Sequence, residues 1–229
     1  MNIMIAGASG GIGNYLTEQF DVDGNLLYLT YNSSRDKVFP VTQAQSIIHK
    51  CDFSNSKDVE CVFSQITSLD VLINTMGHVE NNLIKNMEEG EWDRVIASNL
   101  KTIFLSCKSG VSKMVDNGHI INISSVLGNM GMIGATNYVA AKGAVEAFTK
   151  SFAMECLLSR RIFVNAIALG YFKIGLGLNL KENIFKMICE KIPLKEFGEP
   201  EEIMKAVNYI ISSKYMVGQI LHINGGLMR

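Results

Sequence analysis

The sequence predicts a doubly wound α/β domain built on a seven-stranded parallel sheet. Three observations predict it. Short apolar runs alternate with longer amphipathic ones along the chain, the pattern of buried strands covered by helices on both faces. A glycine-rich turn, Gly7 to Gly13, follows the first apolar run. The 229 residues are 48% hydrophobic and 19% charged, with three Pro and no low-complexity tract, which suits a single domain over 1–229.

Taken in order, Asn2–Ala6 (NIMIA) reads as a buried strand and Gly10 to about Phe20 as a helix. Leu26–Tyr31 (LLYLTY) and Ser46–Cys51 are the second and third strands. A helix near Ser56–Ile66 follows, with Ser56 as N-cap and Val59, Val62, Phe63 and Ile66 on one face. Val71–Asn74 is the fourth strand, then a long helix covers roughly Glu88–Val115. His119–Ser124 (HIINIS) is the fifth strand, Asn137–Ser159 a helix, and Ile162–Ile167 the sixth strand. Glu199–Ser212 is a helix with Pro200 in its first turn, where a missing N–H costs little. Gln219–Ile223 completes the sheet.

Composition excludes several classes. Twenty-one Lys+Arg against 22 Asp+Glu argues against a basic nucleic-acid binder. No apolar run reaches the ~18 residues of a membrane span, and MNIMIAGASGGIG lacks the basic n-region of a signal peptide. The five Cys (51, 61, 107, 156, 189) are odd in number and lack C-x-x-C spacing, so reduced, buried thiols in a cytoplasmic protein are expected, with no metal site.

In doubly wound sheets ligands bind beyond the carboxyl ends of the strands. Gly7–Gly13, Asn32, Asp52, Asn74, Ser125 and Gly170 each follow a predicted strand. In the turn Gly7-Ala8-Ser9-Gly10-Gly11-Ile12-Gly13, glycines permit a sharp bend and close approach of backbone to a phosphate. The helix N-terminus that follows offers free N–H donors and a positive dipole end. The spacing is G-x-x-x-G-x-G, not G-x-G-x-x-G, and a purely structural turn is the alternative. Tyr138 and Lys142 (YVAAK) lie at i and i+4, on one helix face. A phenol near pKa 10 transfers protons poorly at neutral pH, and a neighbouring ammonium is expected to lower it. Ser125, at a strand end, could polarise a carbonyl. A lone Y-x-x-x-K also occurs on ordinary amphipathic surfaces; the glycine turn and strand-end serine favour the chemical reading.

The chain resembles the short-chain dehydrogenase/reductases over nearly its whole length, and among them the bacterial 3-oxoacyl-acyl-carrier-protein reductases. The resemblance rests on AGASGGIG (6–13), NLIKNMEEGEWDRVIASNL (82–100), GHIINISSVLG (118–128), YVAAKGAVEAFTKSFAME (138–155), VNAIALG (164–170), IPLKEFGEPEEI (192–203) and VGQILHINGG (217–226). It implies a Rossmann-type fold and an NAD(P)-dependent ketoreductase. It implies Tyr138 as catalytic acid, Lys142 as holder of the nicotinamide ribose and Ser125, rather than Ser124, as the carbonyl-orienting residue. It implies Asn99 as the residue that kinks the long helix and holds a relay water; a locally bonded polar residue is the alternative. It implies that Asp52 contacts the adenine, with helix capping as the alternative. The cofactor contacts it implies are Gly7, Ser9, Gly10, Gly11, Ile12, Gly13, Asn32, Ser33, Arg35, Asp52, Phe53, Asn74, Gly77, Tyr138, Lys142, Gly170 and Phe172. Three positions depart from the family pattern, all beside the expected cofactor cleft: Met76 replaces alanine, Leu169 replaces proline and Ile174 stands where a threonine is common.

No carboxylate ends the second strand, which runs Tyr31-Asn32-Ser33-Ser34-Arg35 before Asp36. Asp21 and Asp23 precede that strand and are badly placed for a ribose. NADPH is therefore favoured, with NADH the alternative; Arg35 could equally be a solvated loop charge. Residues 171–197 correspond to the family's substrate lid, with Gly175 and Gly177 as hinges or else plain turn residues. Leu176, Leu178, Leu180, Ile184, Phe185, Met187 and Ile188 form an apolar cover, or else core packing or a subunit contact, and Phe172 and Ile174 are expected to touch the ligand. An acidic acyl carrier protein would need a basic rim, for which Lys113, Arg160, Arg161 and Lys173 are candidates. The resemblance also implies a homotetramer pairing through the 88–115 and 137–159 helices and the 217–229 segment. Three functions compete: reduction of a 3-oxoacyl thioester in fatty-acid or polyketide-type synthesis, reduction of another small ketone or alcohol, and a low-turnover structural subunit of the same fold.

Overall fold

A computed structural model describes residues 1–228, and the side chains of all of these except Leu176 and Asn179. Seven parallel strands run in the order β3-β2-β1-β4-β5-β6-β7: β1 (Asn2–Ala6), β2 (Leu26–Tyr31), β3 (Gln45–Lys50), β4 (Leu69–Asn74), β5 (Met114–Ser125), β6 (Phe163–Leu169) and β7 (Ile220–Ile223). The reversal of strand order lies between β1 and β4, so the crevice for a ligand opens there at the carboxyl ends. Helices α1 (Gly11–Phe20) and α8 (Pro200–Ser212) cover one face. Helices α2 (Ser56–Ser64), α3 (Glu89–Ile96), α4 (Thr102–Gly110) and α6 (Thr136–Ser159) cover the other.

Alternate residues of one strand feed opposite layers. Met4 and Ala6 of β1 join Val59, Val62, Phe63, Ile103 and Val145 on one side. Ile3 and Ile5 join Leu16, Phe20, Ile203, Val207 and Ile210 on the other. Strands buried on both faces must be apolar at every position, which is why they read as uninterrupted runs.

The sequence expectations shift in several places. The third strand is one residue earlier, though the Cys51 N–H still bonds the Tyr31 carbonyl at 2.8 Å. The cap of α2 is Asn55, whose Oδ1 accepts from the Lys57 N–H at 3.0 Å, not Ser56. The long helix is broken: a π-helical stretch, Ala97–Lys101, joins α3 to α4, and the helical run ends at Lys113. Strand β5 then starts at Met114, five residues before the predicted His119. A short helix α5 (Leu127–Met130) follows β5, and the lid segment holds a 3-10 turn (Gly175–Asn179) and α7 (Glu182–Lys191).

Asp21, unsuitable for a ribose, has a structural task. Its carboxylate accepts from the N–H groups of Thr42, Gln43 and Ala44 and from the Thr42 hydroxyl. Burial pushes this carboxyl up, but those donors overcome the push and hold it at about 2.

Candidate functional site

The glycine turn is built by its neighbours. Gly7 has φ +88°, a left-handed conformation that glycine adopts without Cβ strain. Its N–H bonds Thr30 Oγ1 at 3.0 Å, and the Ala8 N–H bonds the Thr30 carbonyl at 2.8 Å. Thr75 Oγ1 donates to the carbonyl of Ala6 at 2.8 Å, with the Gly7 carbonyl at 3.2 Å. The turn is thus clamped by a threonine on each flanking strand. No side chain caps α1: Gly10 is the N-cap, and Gly10 and Gly11 are exposed. Among the described residues the N–H groups of Gly11, Ile12 and Gly13 bond no side chain or loop carbonyl. Four such donors are expected at any helix start, and here they lie at the end of β1 where the strand order reverses. A dinucleotide pyrophosphate fits this donor set and its charge.

Ser125 ends β5, Tyr138 and Lys142 project from α6, and Asn99 lies in the π-helical turn; the structure brings all four together. The Ser125 hydroxyl lies beside the Tyr138 phenol, close enough to lower its pKa, and accepts from the Leu127 N–H at 3.2 Å. Lys142 is 3% exposed, donates to the Ile123 carbonyl at 3.0 Å and lies 5.6 Å from the Tyr138 ring centroid. Asn99 donates to the carbonyls of His78 and Val95 at 2.6 and 2.9 Å. In a regular α-helix the Val95 carbonyl would serve the Asn99 N–H, so the widened turn and this side-chain bond belong together. Among the described residues, the buried Asn99 Oδ1 has no hydrogen-bond partner. A buried acceptor left alone is costly and calls for an explanation. Gly77 supplies the setting: a Cβ there would lie 2.8 Å from Asn99 Oδ1 and 3.5 Å from Lys142 Nζ. Only glycine keeps that approach open.

Burial pushes the Tyr138 phenol up to about 12; the Ser125 hydroxyl pulls it part-way back, and nearby Tyr171 adds to the rise. Burial also drives Lys142 down to about 8. The expected lowering of the phenol by Lys142 is therefore not what this geometry delivers: burial is the dominant effect and holds the phenol above its ordinary value. The signs set a test. In the cofactor-free protein, unfolded Lys142 binds more protons than folded Lys142 between about 8 and its ordinary 10.5, so its contribution to stability rises with pH across that window. Reduction, which uses the charged lysine, should fall as pH passes about 8, while the phenol stays protonated. Denaturant midpoints and kcat/KM measured from pH 6.5 to 9.5 check both signs.

Other expected contacts fall differently. Asn74 is fully buried, with its amide nitrogen on Asn122 Oδ1 at 2.9 Å and its oxygen accepting from Ser106 at 2.6 Å. That side chain is consumed inside the core and does not reach the crevice. The Phe53 and Phe172 rings are likewise in the core, so only their backbones remain for a ligand. Gly170 is needed for packing, since a Cβ would lie 2.7 Å from Asn224 Cα. Asp52 Oδ1 accepts from the Ser54 N–H and hydroxyl at 2.9 and 2.7 Å, shaping the turn before α2 without capping it. Asn32, Ser33 and Arg35 are exposed on the loop after β2, and Arg35 has no ion-pair partner among the described residues. Met76 packs against the core.

Residues 171–197 do reach this side of the sheet. A Cβ on Gly11 would come within 2.5 Å of Gly175 Cα, so the first lid turn rests on the start of α1. Gly175 has φ +59°. Gly177 is a packing position rather than a hinge, because a Cβ would sit 2.0 Å from the Phe172 carbonyl oxygen. Leu178 and Met187 are exposed, Leu180, Ile184, Phe185 and Ile188 half-buried; the Leu176 side chain lies outside the described residues. The basic rim fails on geometry: Lys113, Arg160 and Arg161 gather at the amino end of β5, where Arg160 donates to the Met114 carbonyl, at the opposite end from Ser125. Lys173 is paired with Glu199.

The family model described as "Enoyl-(Acyl carrier protein) reductase" matches residues 7–228. Proteins named 3-oxoacyl-acyl-carrier-protein reductase FabG are similar along 98% of this chain: 36% identical in Staphylococcus epidermidis, covering 97% of that protein, and 36% in Staphylococcus aureus, covering 96%. The one from Rickettsia typhi is 35% identical and covered over 95%. The chain belongs to the short-chain dehydrogenase/reductase family. The resemblance read from the sequence is borne out, and with it the assignment as an NAD(P)-dependent oxidoreductase. The fold agrees with a dehydrogenase/reductase from Sinorhizobium meliloti (TM-score 0.92, 24% identity, 100% of this chain and 95% of that one). A short-chain dehydrogenase/reductase mutant from Serratia marcescens aligns similarly (TM-score 0.90, 24% identity, 99% and 97%).

Sequence reading passed over two groups that hold this short-chain dehydrogenase/reductase site together. The Thr30 and Thr75 clamps were legible only as strand-end threonines. Glu146, 5% exposed, accepts from Ser124 at 3.1 Å and Asn129 at 2.8 Å, tying β5 and α5 to α6. Its one signal was a carboxylate four residues after Lys142.

Proposed function

We propose that this chain is an NADPH-dependent reductase of 3-oxoacyl thioesters, carrier-protein-bound ones included, producing the 3-hydroxyacyl form in cytoplasmic fatty-acid or polyketide-type synthesis. The observation that carries the reading is the meeting of Ser125, Tyr138, Lys142 and the orphaned Asn99 oxygen at the carboxyl edge, beside the uncapped start of α1. The names of the Staphylococcus and Rickettsia relatives support the substrate class.

A bound nicotinamide dinucleotide would supply the hydride. Gly7, Ser9, Gly10, Gly11, Ile12 and Gly13 would hold its pyrophosphate, and Lys142 and Tyr138 its nicotinamide ribose. Ser125 donates to the ketone oxygen and fixes its direction. Tyr138, protonated at working pH, delivers a proton to that oxygen as negative charge develops there. Asn99 Oδ1 and Lys142 Nζ, facing each other past Gly77, suit a water that returns the proton to Tyr138. Residues 171–197 close over the reacting carbonyl and exclude solvent.

NADPH oxidation measured with an acetoacetyl thioester beside a panel of free ketones tests the reading; turnover of free ketones alone would assign a different substrate class. With no carboxylate at the end of β2 and Arg35 without an ion-pair partner among the described residues, kcat/KM should favour NADPH over NADH by about tenfold or more, about the worth of one charge-assisted contact. An NADH preference would overturn the cofactor reading.

A homotetramer is also proposed. Phe104 on α4 and Met154, Leu157 and Leu158 on α6 are exposed apolar residues, which a second copy would cover. Multi-angle light scattering at micromolar protein should give four times the chain mass; a monomer alone would reject it.

A further inference from the structure

We propose that Tyr171 is a second hydrogen-bond donor to the substrate, holding the thioester carbonyl of a 3-oxoacyl group while the 3-keto oxygen sits between Ser125 and Tyr138. The proposal rests on the function proposed above and deepens it: the site would recognise a 1,3-dicarbonyl rather than any ketone.

The chain path places Tyr171. Leu169 pairs with Ser125 in the β5–β6 register, and the Val126 N–H bonds the Leu169 carbonyl at 3.0 Å. Strand β6 therefore ends alongside the serine. The Gly170 N–H is taken by Ile223 at 2.8 Å and the Tyr171 carbonyl by the Gly198 N–H at 2.9 Å, which fixes the backbone on both sides. Phe172 is buried in the core between α1 and α8. Successive side chains of an extended segment face opposite ways, so Tyr171 leaves the chain on the side away from the Phe172 ring, two residues past the Leu169 that pairs with Ser125.

Its ring is also held. It packs on Phe197 with centroids 5.5 Å apart, and Phe197 packs on Phe185 of α7 at 4.5 Å. The aromatic row runs from the reacting end of the site into the lid helix. Tyr171 is half-buried, and among the described residues its hydroxyl takes no hydrogen bond and is not one of the fully buried polar atoms, so it opens to solvent and is available to a ligand. It is close enough to Tyr138 that its charge would raise the Tyr138 phenol. A 3-oxoacyl group carries two carbonyl oxygens, separated by one methylene. Ser125 and Tyr138 serve one, and a free donor beside them suits the other. A monoketone has nothing for Tyr171 to hold.

Tyr171→Phe keeps the ring, the Phe197 contact and the backbone bonds, so it isolates the hydroxyl. The readout is a ratio: kcat/KM for an acetoacetyl thioester divided by kcat/KM for a monoketone such as cyclohexanone, in wild type and variant. A fall of about tenfold in that ratio, carried mostly by a higher thioester KM, is expected, because a site built to hydrogen-bond a group discriminates through it. An unchanged ratio would overturn the proposal and leave Tyr171 an apolar wall. Failure of the functional reading shows separately, in the wild type: turnover of monoketones without thioesters would overturn that reading before the variant is compared.

Discussion

Tyr138→Phe should lower kcat for reduction by roughly 10²–10⁴-fold, the usual worth of a positioned general acid, while NADPH binding stays measurable. The ring remains between Ser125 and Lys142; only the proton donor is lost. Burial holds Tyr138 at about 12, so in the cofactor-free protein it is fully protonated at working pH and ready to donate as the ketone oxygen gains charge. Single-turnover oxidation of NADPH, with cofactor affinity from fluorescence titration, measures the two effects separately. Activity within threefold of wild type would remove Tyr138 from the acid role.

Gly13→Ala should damage both stability and cofactor affinity. An added Cβ would lie 2.3 Å from the Gly7 carbonyl oxygen, 2.8 Å from Thr75 Oγ1 and 2.9 Å from Ala8 Cα. Two of these are backbone atoms, so the turn must shift rather than a side chain rotate. Overpacking of this kind costs about 1–3 kcal/mol, or a Tm lower by roughly 2–12 °C for a chain of this size. The same shift moves the N–H groups at the start of α1, so the Kd for NADPH should rise about tenfold or more. A melting scan with a binding titration decides it. Weakened binding at unchanged Tm would make the turn a ligand cradle alone; lower Tm with intact binding would make it a structural turn alone.

Much of the fold was legible because a doubly buried parallel strand has to be apolar at every position. β1 and β2 coincide with the runs NIMIA and LLYLTY. The helix of Tyr138 and Lys142 was legible from spacing, because i and i+4 share a face whatever surrounds them. Glycine at 7, 11 and 13 announced a turn through the absence of side chains, and the physical need for that absence is what the close approaches confirm.

Tertiary structure alone decided the rest. The widened turn at Asn99 depends on a carbonyl of His78, 21 residues away, and no local propensity encodes it. Asn74 reads as a crevice residue from its place at a strand end, yet Asn122 and Ser106, brought in by β5 and α4, draw its amide into the core. Lys113, Arg160 and Arg161 look like one basic surface in the sequence, and they do gather, but at the wrong end of β5. Lys142 and Tyr138 carry pKa values set by burial, which is a property of everything packed around them. Position along an element is a local matter of period and sterics; which polar group finds which partner, and how much water each keeps, is settled only when distant segments meet.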